Sequence, residues 1–567
     1  MYFSKFLALG AVGTPLAYAS FSDLFPMPLC KGVKIEDASI VALQGWMSDG
    51  YLSSQDLVEC YLARIKKTNK YLHSISEVNP DAMQIAAQMD KERGNGEVRG
   101  PLHGIPFLVK DNYYTDDKHN TSEGTLVLLG GKYSSEATVV TKIRAAGGVL
   151  LGHTAMSEAA DHRATTNYAS GYSSRTGQTR NPYNLTQPTA GSSCGSVVAV
   201  RSNQVAIALG TETYGSLVHP AAQLGLYTIK STPGLISRHG VVTGSYYHDT
   251  PGPLARSMKD VSIMLDIMVG PDHYDNLTAE AIGHDPAKRY SAEVVGKEGL
   301  RGMKLGLPWN PFWSTGAHIN SGNNRVDYEK RIQELKDAGA EIYNMTHNAA
   351  LSKIVNPYGA GHPSDLAPEY NHAIAFNTLL AVGYGEWLQN WTFPEGDERH
   401  GMSSLAQMAE WNDDHNATTG ALGNNTWWWD PKTGQSFYDA GVATNGTLGT
   451  AFWTSFGWGR FTARQAIDNI DGNRGNACAP LPSYAGYPIA AVPTGADGYA
   501  TPYGLCIYGK QWGEAKLVRV ASAMEDLFQW NEKPQYFNHD TAEGPWDAPY
   551  PGYTCSERGL SARQCEI

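Results

Sequence analysis

The chain has few of the features that would tie it to a polyanion, a bilayer or a metal. Lys and Arg together number 44 against 56 Asp and Glu, a net charge of −12, and no basic cluster interrupts the sequence. Nucleic acid is therefore not an expected partner, because phosphate binding draws on clustered Lys and Arg. Beyond the first twenty positions no apolar run reaches the roughly 18 residues of a membrane span. The C-terminus ends polar, so no lipid-anchor tail is expected. H-E-x-x-H is missing and the 17 His are scattered, so no metal site is signalled and no cofactor is called for. Repeats and long linkers are absent too. A length of 567 residues suggests several domains, but nothing divides the chain, and one large α/β domain fits as well.

What is present begins with an N-terminal leader. Lys5 precedes a mostly apolar stretch from Phe6 to Leu16, and Ala17-Tyr18-Ala19 supplies small residues around a bulky one. This reads as a secretory signal peptide over 1–19, and hence as an extracellular, secreted protein. Sequons at Asn120, Asn184, Asn276, Asn344, Asn390, Asn416, Asn424 and Asn445 agree with export as a glycoprotein. Asn184 sits close to a Gly/Ser segment and is expected to be too buried for modification. The seven cysteines are Cys30, Cys60, Cys194, Cys478, Cys506, Cys555 and Cys565. In an oxidising compartment most would pair. Local spacing favours Cys555 with Cys565 and Cys478 with Cys506, and Cys194 is the expected odd one out.

Hydrophobic residues make up 42%, enough for a sizeable core, and the 60 glycines point to many tight turns. Residues 36–95 read as helical, with Ser53-Ser54-Gln55-Asp56 as a cap before Leu57 to Ile65. Gly104 to Lys110 and Gly148 to Gly152 read as buried strands, with an amphipathic helix over Thr138 to Ala146 between them. Val197 to Val200 and Val205 to Leu209 continue the helix and strand alternation of an α/β layer. Residues 309–460 hold Trp309, Trp313, Trp387, Trp391, Trp411, Trp427, Trp428, Trp429, Trp453 and Trp458. This half is expected to shape a substrate cleft, although most of these indoles suit a second core. Gly486 to Val492 returns to strand, Leu517 to Leu527 reads as a closing helix, and 536–567 is a Cys-containing tail.

Three segments carry chemistry. Pro106 to Asn112 ends an apolar run on Lys110. Ala190-Gly191-Ser192-Ser193-Cys194-Gly195-Ser196 sets paired serines among small residues. Gly210-Thr211-Glu212-Thr213-Tyr214-Gly215-Ser216 places a serine after a turn. Cleaving an acyl bond needs a nucleophile, a proton acceptor and donors for the oxyanion. Ser216 is the candidate nucleophile and Ser192 a relay. Lys110 serves as base only if burial behind Phe107, Leu108 and Val109 keeps it neutral. A lysine at a strand end more commonly reaches solvent or, here, pairs with Asp111. A rival lies in Gly191-Ser192-Ser193-Cys194-Gly195, which fits the G-x-S-x-G elbow with Ser193 attacking. The elbow needs a hydrophobic strand before it, and Asn181 to Pro188 is turn-like. A phosphate-cradling loop is disfavoured because no Gly-Lys-Ser/Thr follows. Glu158 and Asp161-His162 are taken as structural.

Together these segments resemble the amidase signature family of serine hydrolases, over about residues 35–270 and 480–530. Gly152 to Glu158 and Asn181 to Leu185 are similar to further stretches of that family, as is Gly486 to Glu525. The two serines stand 24 residues apart, as they do there. The resemblance implies a single large domain (20–535) with a mixed β-sheet flanked by helices on both faces. It implies a triad of Lys110 as base, Ser192 as relay after a cis peptide bond, and Ser216 as nucleophile. The oxyanion donors would be the backbone N–H groups of Thr213, Tyr214, Gly215 and Ser216. The expected substrate is a small-molecule amide, hydrolysed without cofactor. Acyl transfer on the same triad, or a non-catalytic binding protein on this scaffold, remain open alternatives. The family usually has Gly where Ala190, Cys194 and Tyr214 stand, and Arg where Val218 stands. An internal ion pair with Glu212 is therefore missing.

Overall fold

The structure is a computed structural model that describes residues 27–534, apart from 165–168, 186–188, 285, 287, 308–321, 345–371, 416–433, 469–472, 476–480 and 497–500. The expected leader and tail lie outside these residues. So do Cys478, Cys555, Cys565, Asn416, Asn424, Trp309, Trp313, Trp427, Trp428 and Trp429.

An 11-stranded mixed sheet forms the frame. Its strands, numbered in chain order, are β1 (Ile75–Val78), β2 (Pro106–Lys110), β3 (Val149–Thr154), β4 (Ile207–Glu212), β5 (Tyr227–Lys230), β6 (Thr250–Ala255), β7 (Lys304–Leu307), β8 (Glu341–Asn344), β9 (Asn473–Gly475), β10 (Ile489–Ala496) and β11 (Pro502–Tyr508). They lie side by side in the order β1-β3-β2-β4-β6-β5-β10-β11-β9-β7-β8. β2 runs parallel to both of its neighbours, whereas the run from β4 through β6, β5 and β10 to β11 is antiparallel. Helices flank the sheet on both faces, as the sequence implied.

All five residues of β2 are buried. A strand covered on both faces has no polar side to alternate, which is why it reads as a continuous apolar run. Pro106 takes the first strand position, where a missing N–H is tolerated. At the β2/β3 pairing the register shifts between Phe107 and Leu108. Gly152 sits in β3 at this irregularity with φ +145°, and a Cβ there would stand 2.2 Å from the Glu77 carbonyl of β1. Only glycine admits such an approach.

The helix Ser54–Leu72 starts as expected. Ser53 and Asp56 form a reciprocal capping box, and Leu57, Val58, Tyr61, Ile65 and Leu72 are buried along one face. Reading 36–95 as all helix needs a correction: β1 interrupts it. Glu77 hid that strand from sequence. It occupies an inward position normally apolar and is buried in an ion pair with Arg175, so the two-residue alternation is broken. A disulfide joins Cys30 to Cys60, with Cα atoms 5.7 Å apart, and ties the N-terminal segment to this helix. Cys194 is free and buried, as expected. Cys506 is disulfide-bonded to a partner outside the described residues.

In the Trp-rich half, Trp387 and Trp391 are buried in a second core with Phe376, Tyr384, Phe437 and Tyr438. Trp411 packs at its edge and donates to Glu398 Oε1 at 2.7 Å. Trp453 is half exposed. Asn184 is buried, while Asn276, Asn344, Asn390 and Asn445 are exposed.

Candidate active site

The parallel strands β2, β3 and β4 end beside one another, and their C-terminal ends carry the site. Lys110 closes β2 and is completely buried. Its Nζ lies 2.7 Å from Ser192 Oγ and 2.9 Å from Thr211 Oγ1 at the end of β4. The alternative pairing with Asp111 is not made. Successive strand residues point to opposite faces, and Asp111 turns away, where Arg175 Nη1 donates to both of its carboxylate oxygens at 2.8 Å and Ser122 Oγ donates at 2.6 Å.

Burial pulls the Lys110 ammonium down to about 8, against the opposing attraction of groups that include Asp161, Glu123 and Asp249. A base near the operating pH is efficient because it is free often enough and still strong. Burial pushes Glu123 up to about 8 as well, with Tyr384 donating to its Oε2 at 2.7 Å. His162 is driven down to about 3, first by burial and then by Lys110.

The Gly/Ser segment folds as a tight loop leading into the helix Cys194–Arg201. The Gly191–Ser192 peptide bond is cis. A Cβ on Gly191 would meet Ser157 Oγ at 2.3 Å, and one on Gly195 would meet the carbonyl oxygens of Ala155 and Ser74 at 2.3 and 2.4 Å. Small residues are thus required where backbones crowd together. Ser192 and Ser193 are both fully buried, but they have different partners. Ser193 Oγ donates to the Thr211 carbonyl at 3.1 Å and accepts from the Thr211 N–H at 3.2 Å. Both functions of that hydroxyl are spent on the β4 backbone. Among the described residues no strand leads into it either, so the elbow reading with Ser193 has neither the strand nor the free hydroxyl it needs.

Ser216 belongs to the turn between β4 and the helix Val218–Gln223 and is partly exposed. The Ser193 N–H donates to the Ser216 carbonyl at 3.3 Å, so the two serine segments are joined directly. Among the described residues, nothing accepts from the backbone N–H groups of Gly215 and Ser216. Gly215 has φ +118°, a conformation that favours glycine. Ala190, Cys194 and Tyr214 all lie outside the positive-φ region, which explains why side chains are accepted where glycine is usual. Where the resemblance implies an arginine at position 218 as partner of Glu212, backbone donors stand instead. Glu212 Oε2 accepts from the N–H groups of Leu217 and Val218, each at 2.9 Å, and so braces the turn. The Tyr214 ring packs against His162, Phe376 and Tyr484, with centroids 6.1, 5.7 and 6.3 Å away. The Trp-rich half therefore contributes Phe376 to the wall behind the turn.

Sequence reasoning missed Thr211, Asn112, Glu123 and Asp249. Asn112 Nδ2 donates to Thr211 Oγ1 at 3.0 Å, so one hydroxyl fixes both the amine and the amide. The first two lie inside the lysine and Ser216 segments, but their partnership depends on how β2 pairs with β4. Glu123 and Asp249 carry no local signal. Glu158 is structural as expected: it pairs with Arg163 at 2.5 Å and accepts from the Ser174 N–H at 2.7 Å.

Comparison with known proteins agrees with this arrangement. The profile of the Amidase family matches residues 56–368. A Schizosaccharomyces pombe protein bearing the amidase name is 36% identical over 544 residues, which cover 91% of this chain and 90% of its own. The solved peptide amidase of Stenotrophomonas maltophilia is 31% identical, with a TM-score of 0.76 over 89% of this chain and 99% of its own. A solved amidase family protein of Bacillus anthracis is 28% identical, with a TM-score of 0.74 over 88% of this chain and 93% of its own. On these matches the chain belongs to the amidase family and is an amidohydrolase acting on carbon–nitrogen amide bonds.

Proposed function

We propose that this protein is a secreted amidase in which Ser216, Ser192 and Lys110 act as nucleophile, relay and base on a small carboxamide. The observation that carries the reading is the amine of Lys110, sealed from water 2.7 Å from the hydroxyl of Ser192. In the neutral amine the lone pair accepts from Ser192, and an N–H donates to Thr211 Oγ1. Ser216 Oγ attacks the carbonyl carbon. Its proton moves to Ser192 Oγ as the Ser192 proton moves to Lys110 Nζ. The oxyanion is held by the backbone N–H groups of residues 213–216. The C–N bond then breaks. The departing nitrogen takes a proton from Ser192, which is replenished from Lys110. Water attacks the acyl-enzyme by the same relay, releasing the acid and restoring Ser216.

Export is supported by the leader and by the Cys30–Cys60 bridge, since structural disulfides persist in oxidising compartments. The exposed sequons are the sites where glycans are expected. The name of the similar Stenotrophomonas maltophilia enzyme makes peptide amides the first substrates to assay.

Reaction with a serine-directed phosphonate, followed by peptide mapping, tests the assignment. Label on Ser216, lost in Ser216→Ala and Lys110→Ala, is the expected result. Label on Ser193, or amide turnover retained by Ser216→Ala, overturns it.

A further inference from the structure

The turn that carries Ser216 also presents a ring. Tyr214 and Ser216 are partly exposed, whereas Thr213 and Gly215 are buried. Three aromatic groups from separate parts of the chain pack against the Tyr214 ring, and each is sealed: Phe376 is 0% exposed, Tyr484 2% and His162 3%. Phe376 meets the ring nearly perpendicular, at 5.7 Å and 83°. His162 and Tyr484 stand 6.1 and 6.3 Å from it, tilted by 37° and 30°. Tyr214 is thus the exposed member of an aromatic cluster, and its ring plugs a recess with aromatic walls. His162, driven down to about 3, is neutral and adds no charge to those walls. The backbone at 214 lies outside the positive-φ region, so a smaller side chain is accepted there without strain. The groups around the attacked carbon decide what meets this ring. One is Ser216 Oγ, and the oxyanion turns to the backbone N–H groups. The nitrogen must face Ser192 to take its proton, and Ser192 is fully buried beside Lys110. The acyl chain is left with the open side, where Tyr214 is exposed.

We propose that Tyr214 is the specificity-determining residue for acyl size: its ring fills the recess walled by Phe376, His162 and Tyr484 and restricts the enzyme to amides of small acyl groups. The inference rests on the amide-hydrolysis reading above and narrows its substrate class. Cutting the side chain back to Cβ leaves a void where the phenol was, because surrounding groups relax only in part. That void opens on the cleft and is lined by aromatic faces and edges, which receive another arene in the offset or edge-on contacts that rings prefer. The recess therefore suits a phenyl group in shape and in chemistry, and in the native enzyme Tyr214 holds that place.

The test compares kcat/KM of the full-length enzyme for propionamide and for hydrocinnamamide, the same acyl chain bearing a terminal phenyl group. Tyr214→Ala is expected to raise the ratio of hydrocinnamamide to propionamide at least about tenfold, the scale on which apolar pockets discriminate by size. Tyr214→Phe, which keeps the ring, should keep the wild-type ratio. Tyr214→Leu, a milder truncation, should move the ratio in the same direction as Ala and gives the reading if the Ala variant does not fold. A ratio that stays the same or falls in the truncated variants overturns the proposal. So does a gain confined to the amine side, read as N-phenethyl against N-ethyl acetamide, because the ring would then face the leaving group. A second readout is independent of turnover. By calorimetry, Ser216→Ala/Tyr214→Ala should bind hydrocinnamamide at least about tenfold more tightly than Ser216→Ala does, and equal binding counts against the recess. If no amide is cleaved at all, the catalytic reading fails while this binding measurement still reports on Tyr214.

Discussion

Lys110 is held in a place that is costly for a charge. Its folded-state pKa is about 8 against an ordinary 10.5, because burial disfavours the ammonium. Below about pH 8 the amine is protonated in both the folded and the unfolded chain, and the folded state bears the full desolvation penalty. Between about 8 and 10.5 the unfolded chain still binds the proton and the folded chain does not, so this group makes stability rise with pH. Above 10.5 the amine is neutral in both states and the penalty is gone. Lys110→Met should therefore raise the unfolding free energy at pH 7 by up to ~3 kcal/mol. That gain should shrink toward zero as pH rises past 10, as read by urea unfolding at each pH. A stabilised but inactive variant is what a strained functional residue predicts. At this scale the sequence was informative about identity and silent about partners. Lys110, Ser192 and Ser216 stood out because each lies within a recognisable segment. Thr211 did not, because its contact with Lys110 exists only once β2 and β4 pair in register.

At the scale of elements, the turn that follows β4 does the positioning. It leaves the strand at Glu212 and passes through Ser216 before the helix Val218–Gln223 begins. Glu212 folds back to accept from Leu217 and Val218. In Glu212→Ala, two buried N–H groups lose their acceptor, a destabilisation of about 2–4 kcal/mol. The misplaced turn should also lower kcat about 100-fold with KM less affected, since small displacements near reacting atoms cost that much. Glu212→Gln retains an acceptor of the same shape and should recover most of both losses. Failure of Gln to rescue would assign Glu212 an electrostatic role in place of a bracing one. Elements rich in apolar residues were legible: β2, β3, β4 and the helices Ser54–Leu72, Thr138–Ala145 and Glu514–Phe528 fall where the pattern placed them. β1 was lost because Glu77 takes an inward position. Its charge is satisfied by Arg175, nearly a hundred residues away in sequence, and no local window contains that fact.

At the scale of the whole molecule, the sheet is what unites distant parts of the chain. β5 pairs with β10 through Lys230 and Ile489, so the C-terminal block lies beside the nucleophile half, while the Trp-rich half adds β8 to the sheet edge and builds a second core around Trp387 and Trp391. The expectation of a second core for these indoles holds for Trp387 and Trp391. Phe376 of the same half packs against Tyr214 of the turn, a contact that tryptophan counting did not reveal. The long-range order of the strands was not legible, because pairing across more than two hundred residues depends on register and not on composition. The central claim is that a neutral, buried Lys110 drives Ser216 through Ser192, and it concerns the intact enzyme. The most direct test is the rate of phosphonate labelling at Ser216 measured from pH 6 to 10. The rate should rise tenfold per pH unit at low pH and level off near pH 8, and Lys110→Ala should remove the dependence together with nearly all of the rate. A pH-independent rate in the wild-type enzyme, or a Lys110→Ala variant that labels as fast, would contradict it.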